Sequence, residues 1–295
     1  IQNTSIKLRR LHTHSSGYPQ ASTHPAITIP ATMASAFHAP MLSEQPGYSF
    51  ASAPQDRSAP RQHAFYPYTD NGGSTLGISG EDFTILAGDT RSTSGYNINT
   101  RYAPKLFKIG GEGPDHIGAK IVLSVVGFAA DGNALKERLD TIVKMYKYQH
   151  GKDISVGACA QRLSHILYGK RFFPYYVTAI LGGIDEEGKG ALYSYDPVGS
   201  YEREYCRSAG AASSLITPFL DNQVNLKNQH DPQAPQGLNK TALVPRPLSR
   251  GHVEDLVKDA FTSAVERHIE VGDGLQMMII TRDGIQETYS PLKKD

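Results

Sequence analysis

Apolar positions along the chain change period several times, and each change predicts an element. From Ser74 onward they fall in short β-rich runs, Thr75-Leu-Gly-Ile, Phe83-Thr-Ile-Leu-Ala-Gly, Lys105-Leu-Phe-Lys and Ile121-Val-Leu-Ser-Val-Val, which predict consecutive strands with a Gly-, Asn- and Thr-rich turn region after the second. After Gly127 the spacing lengthens. Leu135, Leu139, Ile142 and Tyr146 follow at steps of four, three and four, the stripe of an amphipathic helix, and Val156, Ala160, Leu163 and Leu167 repeat it in a second helix stopped at Gly169. Strands return at Tyr175-Tyr-Val-Thr-Ala-Ile-Leu and Ala191-Leu-Tyr-Ser-Tyr, joined by the turn Asp185-Glu-Glu-Gly-Lys-Gly and closed by Asp196-Pro-Val-Gly. Helices are then expected from about Ala209 to Leu220 and from about Val253 to His268, with a Pro-, Gln- and Asn-rich surface insertion from Asn225 to Arg250 between them. Leu275-Gln-Met-Met-Ile-Ile and Gln286-Glu-Thr-Tyr predict the last strands.

This order is not an alternating βα pattern, so it argues for an α+β fold in layers rather than a doubly wound sheet. Two sheets face to face, with a helical layer on each outer side, would bury every stripe. Residues 1–64 are different: they hold 7 of the 18 Pro and only 7 of the 59 charged residues, and read as a disordered, propeptide-like leader ahead of a folded domain over 65–295. Lys7, Arg9 and Arg10 among serines suggest a transit signal, but Pro19, Pro25, Pro30 and Pro40 interrupt the helix such a signal needs. Met33 offers a shorter start of translation.

Composition narrows the function. Thirty basic and 29 acidic residues leave a formal charge of +1, so no global field draws in nucleic acid or an anionic membrane. The longest nearly apolar run, Ile121 to Ala130, falls far short of the roughly 20 residues of a spanning helix. Cys159 and Cys206 are too few for a disulfide framework and read as buried thiols in a reducing compartment. The 11 His show no zinc spacing, and Gly110-Gly-Glu-Gly-Pro is a flexible loop rather than a phosphate cradle, because no Lys-Ser/Thr pair opens a helix after it.

Gly72-Gly-Ser-Thr-Leu, Ala87-Gly-Asp-Thr-Arg and Arg101-Tyr-Ala-Pro-Lys resemble the β-type subunits of the 20S proteasome, members of the N-terminal nucleophile hydrolase superfamily. Gly127-Phe-Ala-Ala-Asp, Tyr168-Gly-Lys-Arg-Phe-Phe-Pro-Tyr-Tyr, Tyr195-Asp-Pro-Val-Gly-Ser-Tyr-Glu-Arg-Glu and Pro218-Phe-Leu-Asp-Asn-Gln-Val continue the resemblance in order, over about three quarters of the chain. The fold it implies is the four-layer αββα sandwich. The partners it implies are neighbouring β subunits of a ring, the α ring and the opposite β ring, in a particle of the cytoplasm and nucleus. It implies no cofactor and no metal.

Active members of that family attack with the hydroxyl of an N-terminal Thr, whose own amine takes the proton while a Lys and an Asp tune the site. Alignment places Asp89 and Lys105 at the family's Asp and Lys, and Gly73 where the Thr belongs. Glycine can neither attack a carbonyl nor cut the chain from its propeptide, so the resemblance implies a non-catalytic subunit. The family's serine network falls on Ala211, and its Asp and Ser after the last long helix fall on His268 and Val271. Ser74 and Thr75 are poor substitutes: strand alternation turns Ser74 to the opposite face, and Thr75 sits roughly 6 to 7 Å further in. Asp89 and Lys105 are then expected to persist as a structural ion pair, and His268 to serve as a capping or interface residue. Two rival readings remain, a free-standing amidohydrolase of the same superfamily with an unconventional nucleophile, and an isolated β-sandwich binding module.

Overall fold

The apolar run at Ile121, broken only by Ser124 before Gly127, is nearly continuous because its strand is covered on both faces. In the computed structural model, which describes residues 65–231 and 242–295, strand β6 (Ile121–Gly127) directs Ile121, Leu123 and Val125 into a helix-covered core and Val122 and Val126 into a second core between two sheets. Side chains alternate along a strand, so a strand buried on both sides is apolar at nearly every position, and its one polar side chain, Ser124, is buried with its hydroxyl donating to Ile180 O at 3.4 Å.

In chain order, β1 (Ser74–Ser79), β2 (Thr84–Asp89), a short hairpin of β3 (Ser92–Ser94) and β4 (Asn97–Thr100), and β5 (Leu106–Ile109) precede β6. Helices α1 (Ala129–His150) and α2 (Val156–Tyr168) follow, then β7 (Val177–Ile184), β8 (Gly190–Tyr195), β9 (Tyr201–Glu204) and β10 (Cys206–Gly210). Helices α3 (Ser213–Gln223) and α4 (Arg250–Val265) and strands β11 (Gly274–Thr281) and β12 (Gly284–Pro291) complete the described residues. Two five-stranded antiparallel sheets result, ordered β10-β1-β2-β11-β12 and β5-β6-β7-β8-β9.

Three apolar clusters define four layers. Leu76, Ile85, Met277 and Ile279 of the first sheet pack under Ile216, Val257 and Phe261 of α3 and α4. Leu123 and Leu181 of the second sheet pack under Leu135, Leu139 and Leu163 of α1 and α2. Leu86, Met278 and Ile280 meet Val122, Ile180 and Leu192 between the sheets. The αββα sandwich expected from the sequence is the fold. Among the described residues no helix is long and apolar enough to cross a membrane.

The differences from the sequence reading lie where pairing overrides local preference. Ala209 and Gly210, expected to open a helix, end strand β10 instead, because Cys206–Gly210 pairs residue by residue with β1 (Ser74↔Gly210 to Ile78↔Cys206). Helix α3 therefore starts at Ser213. Tyr201–Glu204, assigned no strand, forms the edge beside β8, and the Gly/Asn/Thr-rich turn region folds into the β3–β4 hairpin. Helix α4 stops at Val265, so His268 stands in the turn beyond it. At Gly169, which does follow α2, φ is −60°, so left-handed freedom is not what ends that helix. The leader expected over residues 1–64 lies outside the described residues, as do residues 232–241 of the insertion. On either side of that gap His230 and Ala242 form an isolated bridge, and Ala242 to Pro247 are exposed.

Candidate functional site

The site assembles where β1 begins, β2 ends and β5 begins. Register Thr75↔Gly88 lays the start of β1 beside Asp89, and Lys105, just ahead of β5, reaches across from the second sheet. Gly73 takes a left-handed φ of 76°; its N–H donates to the Glu270 carbonyl at 3.1 Å and its carbonyl accepts from Ala211 N–H at 2.9 Å. A Cβ at this position would collide with Cε of Lys105 and stand 2.6 Å from its Nζ and 2.9 Å from Asp89 Oδ1. A side chain here is opposed twice over, by the left-handed backbone and by the end of the Lys105 side chain in its space.

Lys105 occupies the volume that a side chain at 73 would need. Its Nζ donates to the carbonyls of Asp89 (3.0 Å) and Arg91 (2.7 Å) and pairs with Asp89 Oδ1 at 3.3 Å, one acceptor for each ammonium proton. The Asp89 carboxylate also accepts from the Ser74 N–H (2.8 Å) and the Gly272 N–H (3.3 Å). Both groups are buried. Burial pushes the Asp89 carboxyl up and the Lys105 ammonium down, and their mutual attraction opposes both shifts.

The neighbouring hydroxyls face elsewhere. Ser74 Oγ accepts from the Ala212 N–H at 2.7 Å, on the helix side of the sheet. Thr75 lies on the inter-sheet side, buried, and its Oγ1 has no hydrogen-bond partner among the described residues. Neither hydroxyl touches Lys105 through any hydrogen bond, which agrees with the alternation argument. Ala211 and His268 line an open cleft of about 840 Å3 together with Asp70, Gly72 and Glu270. His268 Nδ1 accepts from the Glu270 N–H at 3.3 Å. Val271 is fully buried in the core beneath α3 and α4, so it serves packing and not the cleft. Gly73, Asp89, Lys105 and Ala211 are thus brought together, His268 stands at the rim, and Val271 is turned away.

Three parts of the site carried no separate signal in the sequence. Glu270 receives the Gly73 N–H through its carbonyl, and its own carboxyl is raised by burial and by nearby Asp70. Arg91, inside the Ala87-Gly-Asp-Thr-Arg motif, is buried against Asp273. Asn71, two residues before Gly73, ties the incoming chain down: its N–H donates to Gly127 O, its carbonyl accepts from Thr93 N–H, and its side chain bridges Thr93 O and Ala129 N–H. Upstream, Tyr68 donates to Pro174 O at 2.7 Å and packs among Phe128, Phe173 and Tyr176.

The cysteines are not reactive groups. Burial pushes the Cys159 thiol up to about 12 and that of Cys206 up to about 11, although Cys206 is only half-buried, less than the sequence reading expected. Among the described residues no three His, Cys, Asp or Glu side chains gather as a metal cluster.

Two antiparallel sheets between helix pairs, with the start of β1, Asp89 and Lys105 at their mouth, make up an N-terminal nucleophile hydrolase fold. The chain belongs to the proteasome subunit family, whose model matches residues 69–234, and within it to the β subunits. It is 54% identical over 242 residues to proteasome subunit beta type-6 of Saccharomyces cerevisiae, covering 81% of this chain and 95% of the relative. It is 56% identical to proteasome subunit beta inpE of Emericella nidulans (80% and 99% covered) and 44% identical to proteasome subunit beta type-1 of Arabidopsis thaliana (80% and 99%).

Proposed function

We propose that this chain is a non-catalytic, structural subunit of the 20S proteasome β ring, supporting ATP- and ubiquitin-dependent protein degradation carried out by other subunits. The observation that carries the reading is the occupant of the nucleophile position: a left-handed glycine with the Lys105 ammonium in the space of the missing side chain. In an active member that lysine assists a hydroxyl; here its three protons are all spent on Asp89 and Arg91. It holds the two sheets together at their mouth. The same absence of a nucleophile means that the bond between Gly72 and Gly73 is not cut by this chain, so any trimming of the leader is done in trans. Its neighbours are other β subunits, the α ring and the opposite β ring, and its place is the cytoplasm and nucleus.

The test is covalent labelling of particles purified from the source with a hydroxyl-directed inhibitor, followed by mass spectrometry of each subunit. This chain should take no label while active subunits do, since loss of a nucleophile elsewhere lowers rates by on the order of a million-fold. Modification at Ser74 or Thr75 would instead support a hydrolase with an unconventional nucleophile.

A further inference from the structure

The turn Ile269–Asp273 holds the site from one side: its Glu270 carbonyl takes the Gly73 N–H, and its Gly272 N–H binds Asp89. What holds the turn is a buried guanidinium. Arg91 Nε and Nη2 grip Asp273 at 2.7 and 3.2 Å, and Nη1 donates to Ile269 O at 2.8 Å, so one side chain spans both ends of the turn. Its own carbonyl meanwhile accepts from Lys105. Arg101 adds a second cation on Asp273, and together the two arginines hold that carboxyl below its ordinary range although burial pushes it up.

The remaining capacity of Arg91 goes to residues at the far end of the sequence. Nη2 faces the carbonyl of Lys293 (3.5 Å), the backbone oxygen of Asp295 (3.2 Å) and Asp295 Oδ1 (3.3 Å). The same stretch pairs with the turn itself, Asp273 N–H to Lys293 O at 2.9 Å and Leu292 N–H to Asp273 O at 3.1 Å. Gly272 is pressed between the two: a Cβ there would come within 2.7 Å of Arg91 Nη2 and 2.9 Å of Lys293 O. Asp273 takes a left-handed φ of 70°, a conformation a non-glycine residue keeps only when its surroundings hold it.

We infer that Leu292–Asp295 is a strap that closes over Arg91 and the Asp273 peptide, and so fixes the turn that positions Gly73 and Asp89. The order of the chain at Gly73 is therefore set in part by residues about 220 positions away, through the Arg91 guanidinium and the two backbone bonds to Asp273. A strap released from Arg91 leaves two backbone acceptors and a carboxylate without that donor and lets the turn leave its strained shape. Leu292, partly buried against the core beneath α3 and α4, anchors the near end whether or not the strap is closed.

Hydrogen exchange on the full-length chain in its native assembly reads this out at single amides. Deletion of Lys293–Asp295 keeps Leu292 and removes every strap contact on Arg91. The amides of Gly73, Ser74 and Gly272, none of which bonds to the deleted residues, should exchange tenfold faster or more, while amides in α1 and α2 keep their rates. Asp295→Ala, which removes one carboxylate and leaves the backbone contacts, should give the same pattern at smaller amplitude, and decides the matter if the shortened chain does not accumulate. Glu266→Ala, which breaks only the exposed Lys293–Glu266 pair, should change nothing at Gly73. Unchanged exchange at Gly73, Ser74 and Gly272 in the deletion, or in Asp295→Ala if that variant stands alone, overturns the inference. So does a rise shared equally by α1 and α2, because the segment would then add general stability without positioning the turn.

Discussion

Replacing Gly73 by Ala asks whether Lys105 fills the nucleophile position. The alanine must adopt a φ of 76°, which costs about 1 to 2 kcal/mol for an L-residue. Its methyl must also displace the Lys105 amine, whose Nζ stands 2.6 Å from the new Cβ. Driving that ammonium from Asp89 and the two carbonyls breaks a buried pair, a loss of about 3 to 5 kcal/mol when it is complete. Gly73→Ala should therefore destabilise by roughly 4 kcal/mol or more, a large part of the 5 to 15 kcal/mol typical of a domain. In a Lys105→Ala background the remaining close contact is Asp89 Oδ1 at 2.9 Å, a carboxylate no longer held by the ammonium, and the same substitution should cost chiefly the backbone strain, about 1 to 2 kcal/mol. A double-mutant cycle, from urea titration of the full-length chain with pulse proteolysis, should thus give a coupling of about 3 to 5 kcal/mol between positions 73 and 105, the part of the cost that depends on Lys105. Additivity within about 0.5 kcal/mol would refute the claim that both side chains compete for one volume. By the same argument Gly73→Thr should restore little turnover, since its hydroxyl arrives where the ammonium already sits, and substantial peptide hydrolysis by that variant would also refute it.

Thr75→Val removes a buried hydroxyl that has no partner among the described residues and should be neutral or stabilising by up to about 1 kcal/mol, whereas Ser74→Ala strips the Ala212 N–H of its acceptor and should cost about 1 kcal/mol; thermal melts of the two variants should move in opposite directions or differ clearly. N-terminal sequencing of this subunit from purified particles should find a start upstream of Gly73, because Tyr68 and Asn71 bind the preceding residues to the domain; a single clean start at Gly73 would contradict it. Asp273 is held below the ordinary carboxylate value of about 3.9, so its stabilising contribution is complete above that value and is lost as pH falls through the depressed folded one. Asp273→Asn should lower stability at neutral pH by about 3 kcal/mol, through the unpaired Arg91, and flatten the decline of stability below pH 4 in an acid titration.

Much of the fold was legible because faces are written locally. The step of four, three and four in α1 marks the side that Leu135 and Leu139 bury, and the nearly continuous apolar run of β6 marks a strand covered twice. The glycine at position 73 was legible too, since the residue at a position is read directly, and strand alternation alone turned Ser74 away from Lys105. The strand assignments at β9 and β10 were not, because Tyr201–Glu204 and Cys206–Gly210 become strands only through their partners β8 and β1. Nor could the sequence show that Lys105 fills the space at Gly73, that Val271 is turned into the helix-side core, or that Arg91 joins Asp273, 182 positions on, to the residues after Pro291. Periodicity determines which side of an element is buried. Which buried sides meet, and which side chain takes the space another lacks, is decided by packing among segments far apart in the chain, and that packing leaves no repeating mark along it.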